Sequence, residues 1–216
     1  MRYPLIVFDW DGTVADSASA IVEAIQQASR DLGLAVPDRE RASHVIGLGL
    51  HDSLRHAVPE LPRERYPEFV ALYRKHFLLR EDATGIFPGI QDLLLALQEK
   101  GHRLAVATGK SRRGLDRAFE RSGLRALFVA SRCADETNPK PDPAMLCELI
   151  EELAMRPRDA LMVGDTSHDL EMARAAEVDS LAVTYGAHPE GGLRACNPTG
   201  CVTSVTELKA WLQQNA

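Results

Sequence analysis

Basic residues are outnumbered in this chain: 25 lysines and arginines face 31 aspartates and glutamates, a formal net charge of −6. No basic field exists to hold a polyanionic backbone, so nucleic acid is not an expected partner. Cysteine is scarce and unpatterned. Cys133, Cys147, Cys196 and Cys201 form no Cys-x-x-Cys pair, which argues against a disulfide-stapled secreted domain and predicts reduced, mostly buried thiols. Long apolar runs are missing as well: Met1 to Phe8 meets Asp9 too soon for a signal peptide or a membrane span, so a soluble, cytoplasmic protein without membrane association is expected. The seven histidines offer no zinc set, since His51 and His56 are five apart and off a common helical face, and His168 has no partner nearby in sequence. Surface or hydrogen-bonding roles are expected for all seven. What is present is an ordinary globular composition, 45% hydrophobic and 26% charged over 216 residues, enough for one moderate core and a smaller lobe.

Residues 4–8 form a short apolar run that stops in Asp9-Trp10-Asp11-Gly12, the pattern of a strand buried on both faces and ended by a tight turn. Similar runs at 103–107, 126–129, 160–163 and 180–183 alternate with helical spacings: Leu93, Leu94 and Leu97; Leu115, Ala118 and Phe119; Leu146, Leu149 and Ile150; and 170–176. Strands alternating with helices predict an α/β fold, a doubly wound, Rossmann-like parallel sheet with right-handed crossovers. Between the first strand and Phe87-Pro88-Gly89 the alternation gives way to helical spacing at Ile21, Ile25, Ala28 and Leu32, then Leu54 and Ala57, then Phe69, Leu72, Tyr73 and Phe77. Breaks fall at Gly33, Pro37, Gly47-Leu48-Gly49 and residues 59–67. This interval reads as a small helical cap inserted after strand one, residues 16–85, over a core of 1–15 and 86–216. Residues 190–200 read as a loop or turn.

Asp9 and Asp11 stand two apart at a strand end, where they could serve a turn as readily as chemistry. A second acid pair, Asp165 and Asp169, follows another strand, where either could cap a helix. Four carboxylates sharing one face repel: two unit charges 4 Å apart cost about 4 kcal/mol at an effective dielectric near 20. A divalent cation relieves this, and an all-oxygen set suits Mg²⁺ better than zinc. Thr108 at the end of another strand and Lys140 in Asn138-Pro139-Lys140-Pro141 would each pass as solvated surface residues alone. In the order acid pair, threonine, lysine, acid pair, after successive strands of one sheet, they describe a phosphoryl site.

These motifs, Val7-Phe8-Asp9-Trp10-Asp11-Gly12-Thr13-Val14-Ala15-Asp16-Ser17, Ala107-Thr108-Gly109-Lys110, Lys140-Pro141-Asp142-Pro143 and Gly164-Asp165-Thr166-Ser167-His168-Asp169, resemble the haloacid dehalogenase superfamily over essentially the whole chain, in its phosphoglycolate phosphatase-like branch. The resemblance implies Asp9 as nucleophile and Asp11 as general acid/base. It implies Mg²⁺ held by Asp9, the Asp11 carbonyl and Asp165, with Asp169 in support, and phosphate bound by Thr108, Gly109 and Lys140. The implied activity is a Mg²⁺-dependent phosphatase that hydrolyses a small phosphorylated metabolite, 2-phosphoglycolate foremost, through an aspartyl-phosphate. A sugar phosphomutase and an inorganic pyrophosphatase share those core motifs and stay open. Dehalogenases of the superfamily lack the second acid that Asp11 supplies, and a signalling receiver would be shorter, with its acceptor aspartate mid-chain. Gly109-Lys110-Ser111 is no P-loop, because the leading glycine would fall on Leu104, and Gly47-Leu48-Gly49 follows helical sequence and reads as a cap loop facing the site. His51, Arg55, Arg63 and Arg65 could meet a substrate carboxylate, but a solvated helix face accounts for each.

Overall fold

A computed structural model describes residues 1–81 and 84–216. Six parallel strands form one sheet in the order β3-β2-β1-β4-β5-β6, with β1 Leu5–Phe8, β2 Arg103–Thr108, β3 Ala130–Cys133, β4 Ala160–Gly164, β5 Asp179–Val183 and β6 Gly200–Val202. The chain leaves β1 for β2 on one side and later returns to β4 on the other. The carboxyl ends of β1 and β4 therefore flank the switch point, where open α/β sheets leave a crevice for ligands.

β1 shows how sequence sets this position. Ile6 and Phe8 join the cluster on one sheet face, with Leu93 and Leu94 of α5 (Ile90–Glu99), Leu115 and Phe119 of α6 (Arg112–Ser122) and Leu208 of α10 (Val205–Asn215). Leu5 and Val7 join the other, with Leu146 and Leu149 of α7 (Ala144–Glu152) and Met172 of α8 (Ser167–Ala175). Each such side chain contributes about 1.5–3 kcal/mol by burial, which holds the strand in register and fixes where its last residues lie. Trp10 is pinned edge-on to Phe119, with ring centroids 5.2 Å apart. The turn after β1 is thus anchored in the core.

The insertion consists of α1 (Ala18–Asp31), α2 (Arg39–His44), α3 (Leu50–Ala57) and α4 (Tyr66–Leu78). It has its own apolar cluster, including Ile21, Ile25, Leu54 and Phe69. Its two crossings to the sheet run side by side, bridged at Ala15 and Ile86, where Asp16 N–H donates to the Gly85 carbonyl at 2.8 Å and Phe87 N–H to that of Val14 at 3.0 Å. The expected cap boundary, 16–85, includes residues 82 and 83, which lie outside the described residues.

The sequence reading needs four corrections. The third strand is not 126–129 but Ala130–Cys133; residues 125–127 make a 3-10 turn and Phe128 is a buried plug. β3 is an edge strand, so half-buried Ser131 and Arg132 suffice and no apolar run marks it. Residues 190–200 hold a short helix, α9 (Glu190–Ala195), and the start of β6, whose signals Gly191 and Gly192 and a three-residue edge strand obscure. The expected break over 59–67 ends early, since Pro67 lies in the first turn of α4, where its missing N–H is no loss. The thiols are not mostly buried: Cys133 is, Cys147 is exposed, and Cys196 and Cys201 are half-buried. Among the described residues no helix is long and apolar enough to cross a membrane.

Candidate active site

Asp9 follows directly on β1, bound through its N–H to the Val163 carbonyl of β4 at 2.9 Å. Its side chain is 1% exposed. Asp165 follows β4, and Asp169 sits in the first turn of α8, where it and Thr166 cap each other reciprocally. The carboxylates of Asp9, Asp165 and Asp169 lie within 4.8 Å of one another, all buried. Lys140, wholly buried after the loop from β3, places its Nζ 2.6 Å from Asp9 Oδ1 and 2.6 Å from Asp169 Oδ1. The first contact is an aligned hydrogen bond; the second is charge proximity without that alignment. Thr108, also fully buried, ends β2 beside this group.

Space at the site is made by glycine at one point in particular. Gly12 has φ +83°, and a Cβ there would lie 2.1 Å from Asp165 Oδ2. Only a residue without a side chain lets the β1 turn and the Asp165 carboxylate share that space. Asp165 is held by the Thr13 hydroxyl, which donates to Oδ1 at 2.9 Å, and by the Ala187 N–H, which donates to Oδ2 at 2.7 Å.

Asp11 points elsewhere. Its Oδ1 accepts from the Ser17 hydroxyl at 2.6 Å and from Lys110 Nζ at 2.9 Å. Lys110 in turn lies over the Phe77 ring of α4, 5.1 Å from its centroid. Burial and the nearby Asp11 carboxylate push the Tyr73 phenol of the same helix upward, so it stays protonated. Asp11 therefore faces the cap while Asp9 faces the acid cluster.

The electrostatics are those of an overcrowded anionic site. Burial, opposed by the Lys140 ammonium, pushes Asp9 up to about 7. Burial and the charges of Asp9 and Asp169 raise Asp165 as well. Lys140 is lowered by burial, but Asp169 and Asp9 outweigh that and raise it, so it is always an ammonium. Among the described residues Lys140 pairs with two of the three carboxylates, Asp9 and Asp169, and Asp9 Oδ2 is buried with no hydrogen-bond partner. An orphaned carboxylate oxygen inside an all-oxygen trio fits a small divalent cation.

The cap closes on this group through Gly47-Leu48-Gly49. A Cβ on Gly109 would lie 2.6 Å from the Gly47 carbonyl oxygen, and one on Gly49 would lie 2.6 Å from Pro139 Cγ. Arg55 and Arg65 pair with Asp52 and Glu68 on the exposed cap surface.

The structure therefore brings Asp9, Lys140, Asp165 and Asp169 together from three chain segments, with Thr108 and Gly109 at the carboxyl end of β2, the strand next to β1, and Asp11 two residues beyond Asp9. Sequence alone assigns no role to Lys110 and Ser17, although both stand inside the motifs that carry the family resemblance. Nor does sequence proximity give His168 a partner, whereas the fold sets His44 and His188 beside it.

The family model described as haloacid dehalogenase-like hydrolase matches residues 6–183. A protein of Dickeya dadantii named "Probable phosphatase IndB" is 34% identical over 211 residues, covering 95% of this chain and 91% of that one. A phosphoglycolate phosphatase of Agrobacterium fabrum is 32% identical over 192 residues, 85% of this chain and 81% of its own. A 5'-nucleotidase of Pseudomonas aeruginosa is 32% identical over 225 residues, 100% of this chain and 98% of its own. A match this extensive, on a sheet and insertion of this form, leads to one conclusion: the chain belongs to the haloacid dehalogenase-like hydrolase family, among relatives of the phosphoglycolate phosphatase kind.

Proposed function

We propose that this enzyme is a Mg²⁺-dependent phosphatase that hydrolyses a small phosphate monoester through a phosphorylated Asp9. The reading is carried by one observation: a buried carboxylate with an unpartnered oxygen lies against a buried lysine and two further acids at the sheet's switch point. Asp9, Asp165 and the Asp11 carbonyl, with Asp169 in support, would hold the ion. When bound, it supplies positive charge that offsets the repulsion between an anionic nucleophile and an anionic phosphate.

The chain's own residues do the rest. Lys140 holds Asp9 by one oxygen and presents a fixed ammonium to the phosphoryl oxygens. The Thr108 hydroxyl and the Gly109 N–H offer donors to the same oxygens. An Asp9 carboxylate oxygen forms the new bond to phosphorus as the bond to the leaving oxygen breaks, and Asp11 delivers a proton to that oxygen. In the second half Asp11 takes a proton from the water that displaces Asp9 from phosphorus. Lys110 and Ser17 hold Asp11 toward the cap, on the side where a leaving group would stand.

The substrate is small. The Gly47–Gly49 loop rests on Gly109 and Pro139, so the cap comes down directly on the segments that carry Thr108 and Lys140, a placement that suits a small substrate. Together with the Agrobacterium relative this supports 2-phosphoglycolate as first candidate. Phosphate release from 2-phosphoglycolate, nucleoside monophosphates, sugar phosphates and pyrophosphate, each with and without Mg²⁺, tests the reading. Turnover that needs Mg²⁺, is fastest on 2-phosphoglycolate and is absent in Asp9→Asn is expected. Release without Mg²⁺, or undiminished in Asp9→Asn, contradicts the mechanism.

A further inference from the structure

Apart from the acid cluster, three imidazoles from distant parts of the chain meet where cap touches core. His44 ends α2, His168 stands in the first turn of α8, and His188 follows β5. Their ring centroids lie 5.0 to 5.2 Å apart, and His44 and His188 stack at 17°. His168 and His188 are buried at 6% exposure each. Their Nε2 atoms converge on a single acceptor, the His44 carbonyl oxygen, at 2.7 Å and 3.1 Å. A carbonyl at the end of a helix has no partner within the helix and must find one outside.

Proton positions follow from the partners. The Ser167 N–H donates to His188 Nδ1 at 3.1 Å, so the neutral ring carries its proton on Nε2 and donates it to the carbonyl. His168 must likewise donate from Nε2, because a carbonyl only accepts. Three histidines with ligand atoms within 4.8 Å would otherwise suit zinc or nickel. Here both Nε2–H groups are committed to a carbonyl and His188 Nδ1 to an amide, so an ion would have to break these bonds.

We propose that His168 and His188 are positioning residues, a two-donor latch on the His44 carbonyl that holds the cap closed and keeps Gly47–Gly49 on Gly109 and Pro139. The latch sits on segments that also build the acid cluster. The His188 N–H donates to the Asp165 carbonyl at 3.3 Å, the Ala187 N–H donates to the Asp165 carboxylate, and Asp169 follows His168. The proposal rests on the phosphatase reading only for its kinetic consequence.

A lid that is closed for a smaller fraction of the time weakens apparent substrate affinity by that fraction. His168→Leu should therefore raise KM about tenfold and leave kcat within about twofold, the worth of one good hydrogen bond. His168→Gln, which offers an amide N–H at similar reach, should restore KM. His44→Ala keeps the carbonyl and should stay within about twofold of wild type, which no metal site built on the His44 ring would allow. Hydrogen–deuterium exchange over residues 45–49 reads the same latch without turnover: faster in His168→Leu, near wild type in His168→Gln and His44→Ala. A fall in kcat at unchanged KM, a Gln variant as impaired as Leu, or exchange that does not move overturns the latch. So does Zn²⁺ binding by wild type that is lost equally in His44→Ala and His168→Leu. If wild type hydrolyses no phosphate ester but exchange responds as stated, the functional reading fails and the latch stands.

Discussion

The core and the cap bury their residues for different purposes. At the core's sheet edge Asp9, Thr108, Lys140, Asp165 and Asp169 are at most 1% exposed, fixed by strand register and by one another. The cap buries chiefly its own apolar cluster, and charge pairs such as Arg55–Asp52 and Arg65–Glu68 lie on its exposed surface, each contributing roughly 0.2–1 kcal/mol. It reaches the site through a glycine loop, the His44 carbonyl and the Tyr73–Phe77 face of α4. Reactive charge therefore lies where the backbone is most constrained, and access lies where a few polar contacts decide the geometry. Substitutions within the acid cluster should act on kcat, and substitutions where cap meets core, on either side of the contact, on KM.

The largest break of that contrast should come at Lys140. Lys140→Met removes the ammonium that pairs with Asp9 and Asp169 and leaves buried acids uncompensated, a loss of about 3–5 kcal/mol in stability and about 10²–10³-fold in kcat. Chemical denaturation and steady-state kinetics would show both; a stable variant with near-normal kcat would place the site elsewhere.

Next is the coupling of protons to Mg²⁺. Burial raises Asp9 to about 7, so its proton stabilises the fold below the unfolded carboxylate pKa and that contribution is lost as pH rises through about 7. An ion that displaces this proton gains as the proton leaves. The rise in melting temperature caused by Mg²⁺ should grow from about pH 5.5 to about pH 8; an equal rise at both would remove Asp9 from the ion's ligands.

A smaller effect sharpens the boundary between the two regions. Gly109→Ala puts a Cβ 2.6 Å from the Gly47 carbonyl, so the cap loop must lift while the acid cluster stays. KM should rise about tenfold with stability lowered by no more than about 1 kcal/mol; a variant with unchanged KM would show that the loop does not close on substrate.

Much of the core was legible because burial on both faces writes itself into short apolar runs: Leu5 to Phe8 and Ala160 to Val163 announce their strands, and the acids at their ends announce the site. The edge strands β3 and β6 were not, since an edge needs little apolar sequence and Gly200–Val202 is only three residues long. The acid trio and Lys140 could be grouped from their order along successive strands. The histidine contact could not, because His44, His168 and His188 are joined only by the way the cap folds back on the core. The role of Lys110 is illegible in the sequence for the same reason: its partners Asp11 and Phe77 lie on different lobes.

In the proposed mechanism Asp9 itself carries the phosphoryl group during turnover. Acid quenching of the enzyme while it turns over with Mg²⁺, followed by mass mapping of its peptides, should find one phosphoryl group on Asp9. An actively turning enzyme with Asp9 unmodified, or with the group on another residue, would contradict it.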